Sequence, residues 1–263
     1  MNITPKFAVL LEYEGTHFHG WQIQAKALTV QQVLEDKLAQ ILGHKIHCQG
    51  ACRTDAGVHA LAQVAHFTSD SERDPVDIRR GLNALTPHSI SAIDLVKVPQ
   101  DFHARYDARG KTYCYRIWND RVPHPFVRRF CYLVKHPLDA SIMKQALKFI
   151  EGEHDFSSFR AASCVAKSTV RTIFSTELEQ QGPLIIIRMT GNAFLQHMVR
   201  IIVGTLIDIG RQKQGPESIM SLLQSPNRRK AGQTVPALGL TLEYIRYEPQ
   251  IFTTGPRKLR FDI

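Results

Sequence analysis

Arg53-Thr54-Asp55-Ala56-Gly57-Val58-His59-Ala60 separates an amphipathic run from an apolar, β-prone one, and the rest of the chain is read outward from it. Asp and Gly favour a turn, and Gly57 can take backbone angles closed to other residues. Asp55 is therefore expected on a loop, pointing outward, with Arg53 near enough to hold it ionised. A carboxylate so placed suits a nucleophile. The same three residues also describe an ordinary solvated ion pair, which contributes little.

Upstream, residues 7–13 read as a buried strand ended by Glu14-Gly15-Thr16. Thr29 opens a helix, with Gln32 three residues on and Gly43 past the end. Val30, Val33, Leu34, Leu38, Ile41 and Leu42 form its apolar face. Downstream, strands are expected through residues 64–67 and 93–98, around a helix at 77–85 that Pro87 stops. The second half opens on a strand with Tyr113, Tyr115 and Ile117 on one face and Cys114, Arg116 and Trp118 on the other. A helix over about 140–150 has Asp139 as its N-cap. A hairpin is expected around Gln181-Gly182-Pro183, then a long helix over 193–209 and a last strand over 240–247. Strands mixed with covering helices in both halves predict the α+β class. The halves are residues 1–105 and 106–263.

Lys and Arg number 33 against 24 Asp and Glu, a net charge of +9 that favours polyanionic partners. Arg128-Arg129, Arg228-Arg229-Lys230, and Arg257-Lys258 with Arg260 are expected on exposed loops, where phosphates could be met. Five scattered cysteines are no disulfide framework. His44, His47, Cys48, Cys52 and His59 could be offered as a zinc cluster, but no C-x-x-C pair accompanies them, and no metal is expected. Arg200 and Asp208 interrupt the longest apolar stretch, so no membrane span is expected. The N-terminus lacks the pattern of a signal peptide, and the expected location is cytoplasmic.

Arg200 lies in Met198-Val199-Arg200-Ile201-Ile202-Val203-Gly204-Thr205-Leu206-Ile207, apolar on nearly every helical face. A guanidinium buried there needs a partner. Asp208 is about 12 Å along the helix, too far to serve. An acid from elsewhere would answer, Asp55 being the attractive candidate; a side chain that snorkels to the surface would answer too. Tyr113 and Tyr115 share a strand face, a core pattern that could also stack on an extruded base. Phe18 and Trp21, among His17, His19 and Gln22, suit RNA contact or any half-buried loop.

Gly50-Ala51-Cys52-Arg53-Thr54-Asp55-Ala56-Gly57-Val58-His59 closely resembles the catalytic-loop signature of the tRNA pseudouridine synthase A family, with Cys52 where Gly is usual. Tyr13-Glu14-Gly15-Thr16-His17-Phe18-His19-Gly20-Trp21-Gln22 resembles its N-terminal signature, with Glu14 in place of Asp. Further blocks are similar: Phe102-His103-Ala104-Arg105 with Lys111-Thr112-Tyr113-Cys114-Tyr115, Asp155-Phe156-Ser157-Ser158-Phe159-Arg160, Gly191 to Arg200, and Gly239-Leu240-Thr241-Leu242. Val165-Ala166 departs from a usual polar pair.

The resemblance implies an isomerase that converts uridine to pseudouridine in the anticodon stem-loop of tRNA, at tRNA positions 38, 39 and 40. Asp55 would be the nucleophile and Arg200 its ion-pair partner. Tyr113 would stack on the flipped uracil, Leu240 would wall its pocket, and Arg53 would contact RNA. The implied fold has two similar subdomains with a continuous, mainly antiparallel sheet, helices behind it, and a basic active-site cleft between. A homodimer and tRNA as partner are implied, with no cofactor, because nothing is oxidised. The alternatives are a catalytically silent tRNA-binding protein on the same scaffold, or a relative acting on other tRNA uridines. A zinc-dependent deaminase would need an H-x-E with P-C-x-x-C signature, which is absent.

Overall fold

The computed structural model describes residues 4–255. The chain separates into two units, one of residues up to Arg109 together with those from Leu242 onward, the other Gly110–Thr241. The class is α+β, with five α-helices among the described residues. Met1, Asn2 and Ile3, and the basic cluster Arg257, Lys258 and Arg260, lie outside the described residues.

In the first unit, strand β1 (Lys6–Tyr13) buries Phe7 through Leu11 and Tyr13. Helix α1 (Val30–Leu42) starts where the Thr29 hydroxyl accepts the Gln32 N–H, and stops at Gly43, whose φ is 80°. Two further first-turn N–H groups are satisfied by the chain before the helix: Val30 donates to the Gly20 carbonyl and Gln31 to that of Trp21. Strand β2 (Gln49–Gly50) and strand β3 (His59–Thr68) follow, then helix α2 (Pro75–Leu85) and strand β4 (Ile90–Val98). β1 pairs antiparallel with both β3 and β4, and β2 pairs with β3.

Several boundaries differ from the sequence expectation; strand β4, for one, begins at Ile90 rather than residue 93. Helix α2 begins at Pro75 rather than residue 77: Asp74 accepts the Val76 N–H, and proline in the first turn gives up only a hydrogen that has no partner there. Strand β3 begins five residues earlier than residue 64, because His59 and Gln63, polar in sequence, are buried with partners, His59 accepting the Gly15 N–H and Gln63 bonding Cys52.

In the second unit, strand β5 (Gly110–Trp118) is followed by strand β6 (Tyr132–Leu133), helix α3 (Ala140–Lys148), strands β7 (Gly152–Asp155), β8 (Val170–Gln181) and β9 (Leu184–Gly191), and helices α4 (Met198–Gly210) and α5 (Ser218–Gln224). β5 and β9 run antiparallel in one unbroken register, from Lys111 opposite Gly191 to Trp118 opposite Leu184. β8 and β9 form the expected hairpin, with Gly182 at φ 55° and Pro183 closing it. Asp139 caps α3 by accepting the N–H groups of Ser141 and Ile142. Strand β10 (Leu240–Arg246) carries the chain back to the first unit.

The helix expected over 193–209 starts only at Met198. His197 takes a left-handed backbone (φ 63°), which a helix cannot continue through. Before it, the Asn192 carboxamide oxygen accepts the N–H groups of Thr172 and Ala193, holding that segment as a loop. Among the described residues no helix is long and apolar enough to cross a membrane.

Candidate active site

In the first unit, Asp55 opens a tight turn in which the Val58 N–H donates to the Asp55 carbonyl at 3.2 Å. Gly57 occupies the third position with φ 78°, a conformation that favours glycine. Asp55 is half-buried and Arg53 exposed, while Thr54 is buried between them and shares a 2.7 Å hydrogen bond with the Tyr13 hydroxyl. Burial holds the Tyr13 phenol well above its ordinary range, so it is a neutral structural group.

The loop backbone is gripped from both sides. From one side come residues 15–21. The Trp21 N–H donates to the Thr54 carbonyl, the Gly57 N–H to that of Phe18, and the Gly15 N–H to His59 Nδ1 at 2.9 Å. The approach is so close that a Cβ on Gly20 would lie 2.4 Å from the Thr54 carbonyl oxygen, and one on Gly15 2.0 Å from that of Val58. From the other side, Gln63 presents its whole carboxamide to Cys52: its Nε2 donates to the Cys52 carbonyl at 2.9 Å and its Oε1 accepts the Cys52 N–H at 3.3 Å. Cys52 is buried and is not among the non-glycine residues with positive φ, so its backbone does not require the usual glycine. Phe18 and Trp21 are buried wedges beneath this loop; of their polar neighbours, His17 and His19 are exposed.

In the second unit, helix α4 buries every residue except Arg200 and Asp208. Asp208 pairs with Lys213 at 3.0 Å. Arg200 donates its Nε hydrogen to the Val235 carbonyl at 2.7 Å. The next carbonyl along, Pro236, accepts the Tyr115 hydroxyl at 2.7 Å. Burial pushes the Tyr115 phenol up, against the opposing pull of the nearby Arg200 charge. Residues 232–236 can run this close to α4 because glycines face each other: a Cβ on Gly204 would lie 1.9 Å from the Gln233 oxygen, and one on Gly232 2.3 Å from Gly204. After Pro236 the turn Ala237–Gly239 leads to the buried Leu240. Tyr113, two residues before Tyr115 on β5, packs edge-on against Phe194 with ring centroids 5.0 Å apart. Arg200, Tyr115 and Leu240 are thus set by one short stretch of backbone, and Tyr113 by the strand that carries Tyr115.

The offered zinc residues go to separate partners. His59 serves Gly15, His44 Nε2 meets Ser69 Oγ at 3.2 Å, and His47 stands exposed beside Glu35 at 3.7 Å. Among the described residues no group of three or more His, Cys, Asp or Glu is arranged to hold a metal. Of the basic clusters, Arg128 and Arg129 are exposed, as are Arg229 and Lys230. Arg228 instead turns inward to the carbonyls of Ala231 and Gly232.

The sequence model of the family described as tRNA pseudouridine synthase matches residues 9–107 and 146–248, which include the Asp55 loop, Arg200 and Leu240. The chain belongs to this family. It is 42% identical over 237 residues to tRNA pseudouridine synthase A of Pelobacter propionicus, covering 90% of this chain and 97% of that one. It is 43% identical over 241 residues to tRNA pseudouridine synthase A of Citrifermentans bemidjiense, covering 91% and 96%. Among solved structures, a chain of an H/ACA ribonucleoprotein bound to a substrate RNA matches 78% of this chain and 44% of its own, at 13% identity and a TM-score of 0.35.

As a tRNA pseudouridine synthase the chain is an isomerase, and its reaction rearranges uridine within RNA without net loss of a group. In each unit, several contacts around the candidate residues escape a reading of sequence. Tyr13, Gln63 and Phe194 act through partners distant in the chain, and Val235 and Pro236 act through carbonyl groups that every residue carries. Only Gln63 leaves a trace, a lone amide inside the apolar run Leu61-Ala62-Gln63-Val64-Ala65.

Proposed function

We propose that Asp55 is the nucleophile that attacks the target nucleotide, at the sugar or the base, when the bond between uracil N1 and the ribose breaks. The base turns and rejoins the ribose through C5, and the C5 proton is lost while N1 gains one. The observation that carries this reading is the Asp55 turn itself. A half-buried carboxylate stands on a backbone clamped by Gly15, Gly20 and Gln63, so it can meet the substrate without reorganisation. Arg200 is the ion-pair partner that keeps Asp55 anionic and oriented. Tyr113 stacks on the extruded uracil, Leu240 forms an apolar wall, and Arg53, exposed beside Asp55, contacts the RNA. The Tyr113 hydroxyl is the candidate to take part in moving the C5 proton.

The target uridines are those at the three anticodon-arm positions named above, in cytoplasmic tRNA, and the working form is a homodimer. The net charge of +9 supports a tRNA substrate held largely by its phosphates. Carbodiimide treatment of a modified tRNA transcript followed by primer extension tests the target. Stops one nucleotide before each of those three positions are expected, and stops elsewhere would assign the enzyme to other uridines. Sedimentation of the free protein tests the dimer.

A further inference from the structure

After β4 in the first unit, Phe102-His103-Ala104-Arg105-Tyr106-Asp107 forms a turn in which the N–H groups of Tyr106 and Asp107 both donate to the His103 carbonyl. Asp107 Oδ2 closes it by accepting the His103 N–H at 2.7 Å. The His103 ring sits between two others. His66 lies edge-on to it at a centroid distance of 4.7 Å, and Tyr106 leans over it at 4.2 Å with the planes 35° apart. Tyr106 itself is 73% exposed.

This stack is rigid. His103 Nδ1 accepts the N–H groups of Arg105 and Tyr106 at 3.1 and 3.3 Å, so its proton is on Nε2, which donates to Gln49 Oε1 at 2.8 Å. Burial, aided by His103 and Lys6, pushes His66 down to about 4, and its Nδ1 accepts the Ala104 N–H. Tyr106 is thus a largely exposed aromatic ring supported from below by other rings. The exposed Arg105 lies over the ring, its guanidinium carbon 5.8 Å from the centroid.

The turn is tied to the Asp55 loop. Gln49 begins β2, which enters the loop through Gly50, Ala51 and Cys52. Tyr247, whose hydroxyl donates to the Ala104 carbonyl, lies within electrostatic reach of both Cys52 and Asp107. An aromatic platform with an adjacent guanidinium matches single-stranded nucleic acid, in which bases stack on rings and phosphates meet arginine.

We propose that Tyr106, supported by His103, is a stacking platform for an unpaired base of the tRNA, which displaces the Arg105 guanidinium from over the ring to the neighbouring phosphate. The proposal rests on tRNA being the substrate of the Asp55 site.

Filter binding of an unmodified tRNA transcript over a range of KCl concentrations tests it, with the wild type, Tyr106→Phe, Tyr106→Leu, Tyr106→Ala and Arg105→Ala. Tyr106→Ala is expected to weaken binding about tenfold at every salt concentration. Tyr106→Leu keeps an apolar cover over His103 but has no π face, so it carries the same expectation should the alanine variant unfold. Tyr106→Phe should bind like the wild type. Arg105→Ala should lower the steepness of log Kd against log salt by about one. Wild-type affinity in the leucine and alanine variants would overturn the proposal, as would equal loss in the phenylalanine variant. Loss of a dimer in sedimentation, with tRNA affinity per protomer kept, would assign the ring to a second copy of the chain and also overturn it. Failure of the wild type to bind tRNA or isomerise its uridines would instead remove the reading beneath it, a result seen with Tyr106 intact.

Discussion

Arg200 donates its Nε hydrogen to the Val235 carbonyl at 2.7 Å, which leaves the two terminal nitrogens of the guanidinium as the groups that can face a carboxylate. Lysine has no donor at that place along its stem, so one ammonium would have to replace both the Nε bond to the carbonyl and the planar fork offered to a carboxylate. Arg200→Lys is therefore expected to lower the single-turnover rate about a hundredfold, with the charge unchanged. Tyr115→Phe frees the neighbouring Pro236 carbonyl and should cost about 1 kcal/mol of stability in urea unfolding, with a smaller loss of rate.

Gly20 and Gly43 share positive φ angles, 87° and 80°, but differ in what surrounds them. A Cβ on Gly20 would collide with the Thr54 carbonyl at 2.4 Å, whereas one on Gly43 meets nothing within 4 Å. Gly43→Ala should cost about 1 kcal/mol of stability and leave activity intact. Gly20→Ala should cost about 2 kcal/mol or more, and the folded fraction should also turn over about a hundredfold more slowly, because relief of the clash displaces Asp55. Urea melts with single-turnover kinetics on the same samples separate the two effects.

Gln63 is fully buried, and its carboxamide satisfies both backbone groups of Cys52. Gln63→Leu fills a similar volume but strands those groups, at a cost of about 3 kcal/mol. Amide exchange at Cys52 should accelerate in that variant ahead of exchange in β1.

His66 gives a pH dependence. Its folded value of about 4 lies below the ordinary 6.5, so in the interval between them the unfolded chain binds the proton more readily than the folded one. Its contribution is complete above pH 6.5, falls as pH drops towards 4, and is flat below. The loss amounts to about 2 kcal/mol, measurable as a lower urea midpoint at pH 5 than at pH 7.5. His66→Asn should remove that share of the acid sensitivity.

Much of the fold is legible because its signals are local. Thr29, Gly43 and Asp139 mark helix ends by chemistry confined to one turn, and Gly182-Pro183 marks a hairpin in the same way. The start of α4 is not legible, since Ala193 to His197 has helical composition and its loop is imposed by Asn192 and by the left-handed His197. At the candidate site Asp55 is legible through its turn, and Arg200 through its apolar helix. Phe18 and Trp21 read as suited to RNA contact or a half-buried loop, and they are buried beneath the loop, a placement set by backbone bonds to Thr54 and Gly57 that no side chain announces.

The most direct test of Asp55 as the nucleophile is tritium release from a tRNA transcript labelled at uracil C5, for the wild type and for Asp55→Asn. The substitution keeps size and removes the negative charge. Release by the wild type, with none above background from Asp55→Asn at equal tRNA occupancy, is the predicted result. Equal release by both proteins would contradict it.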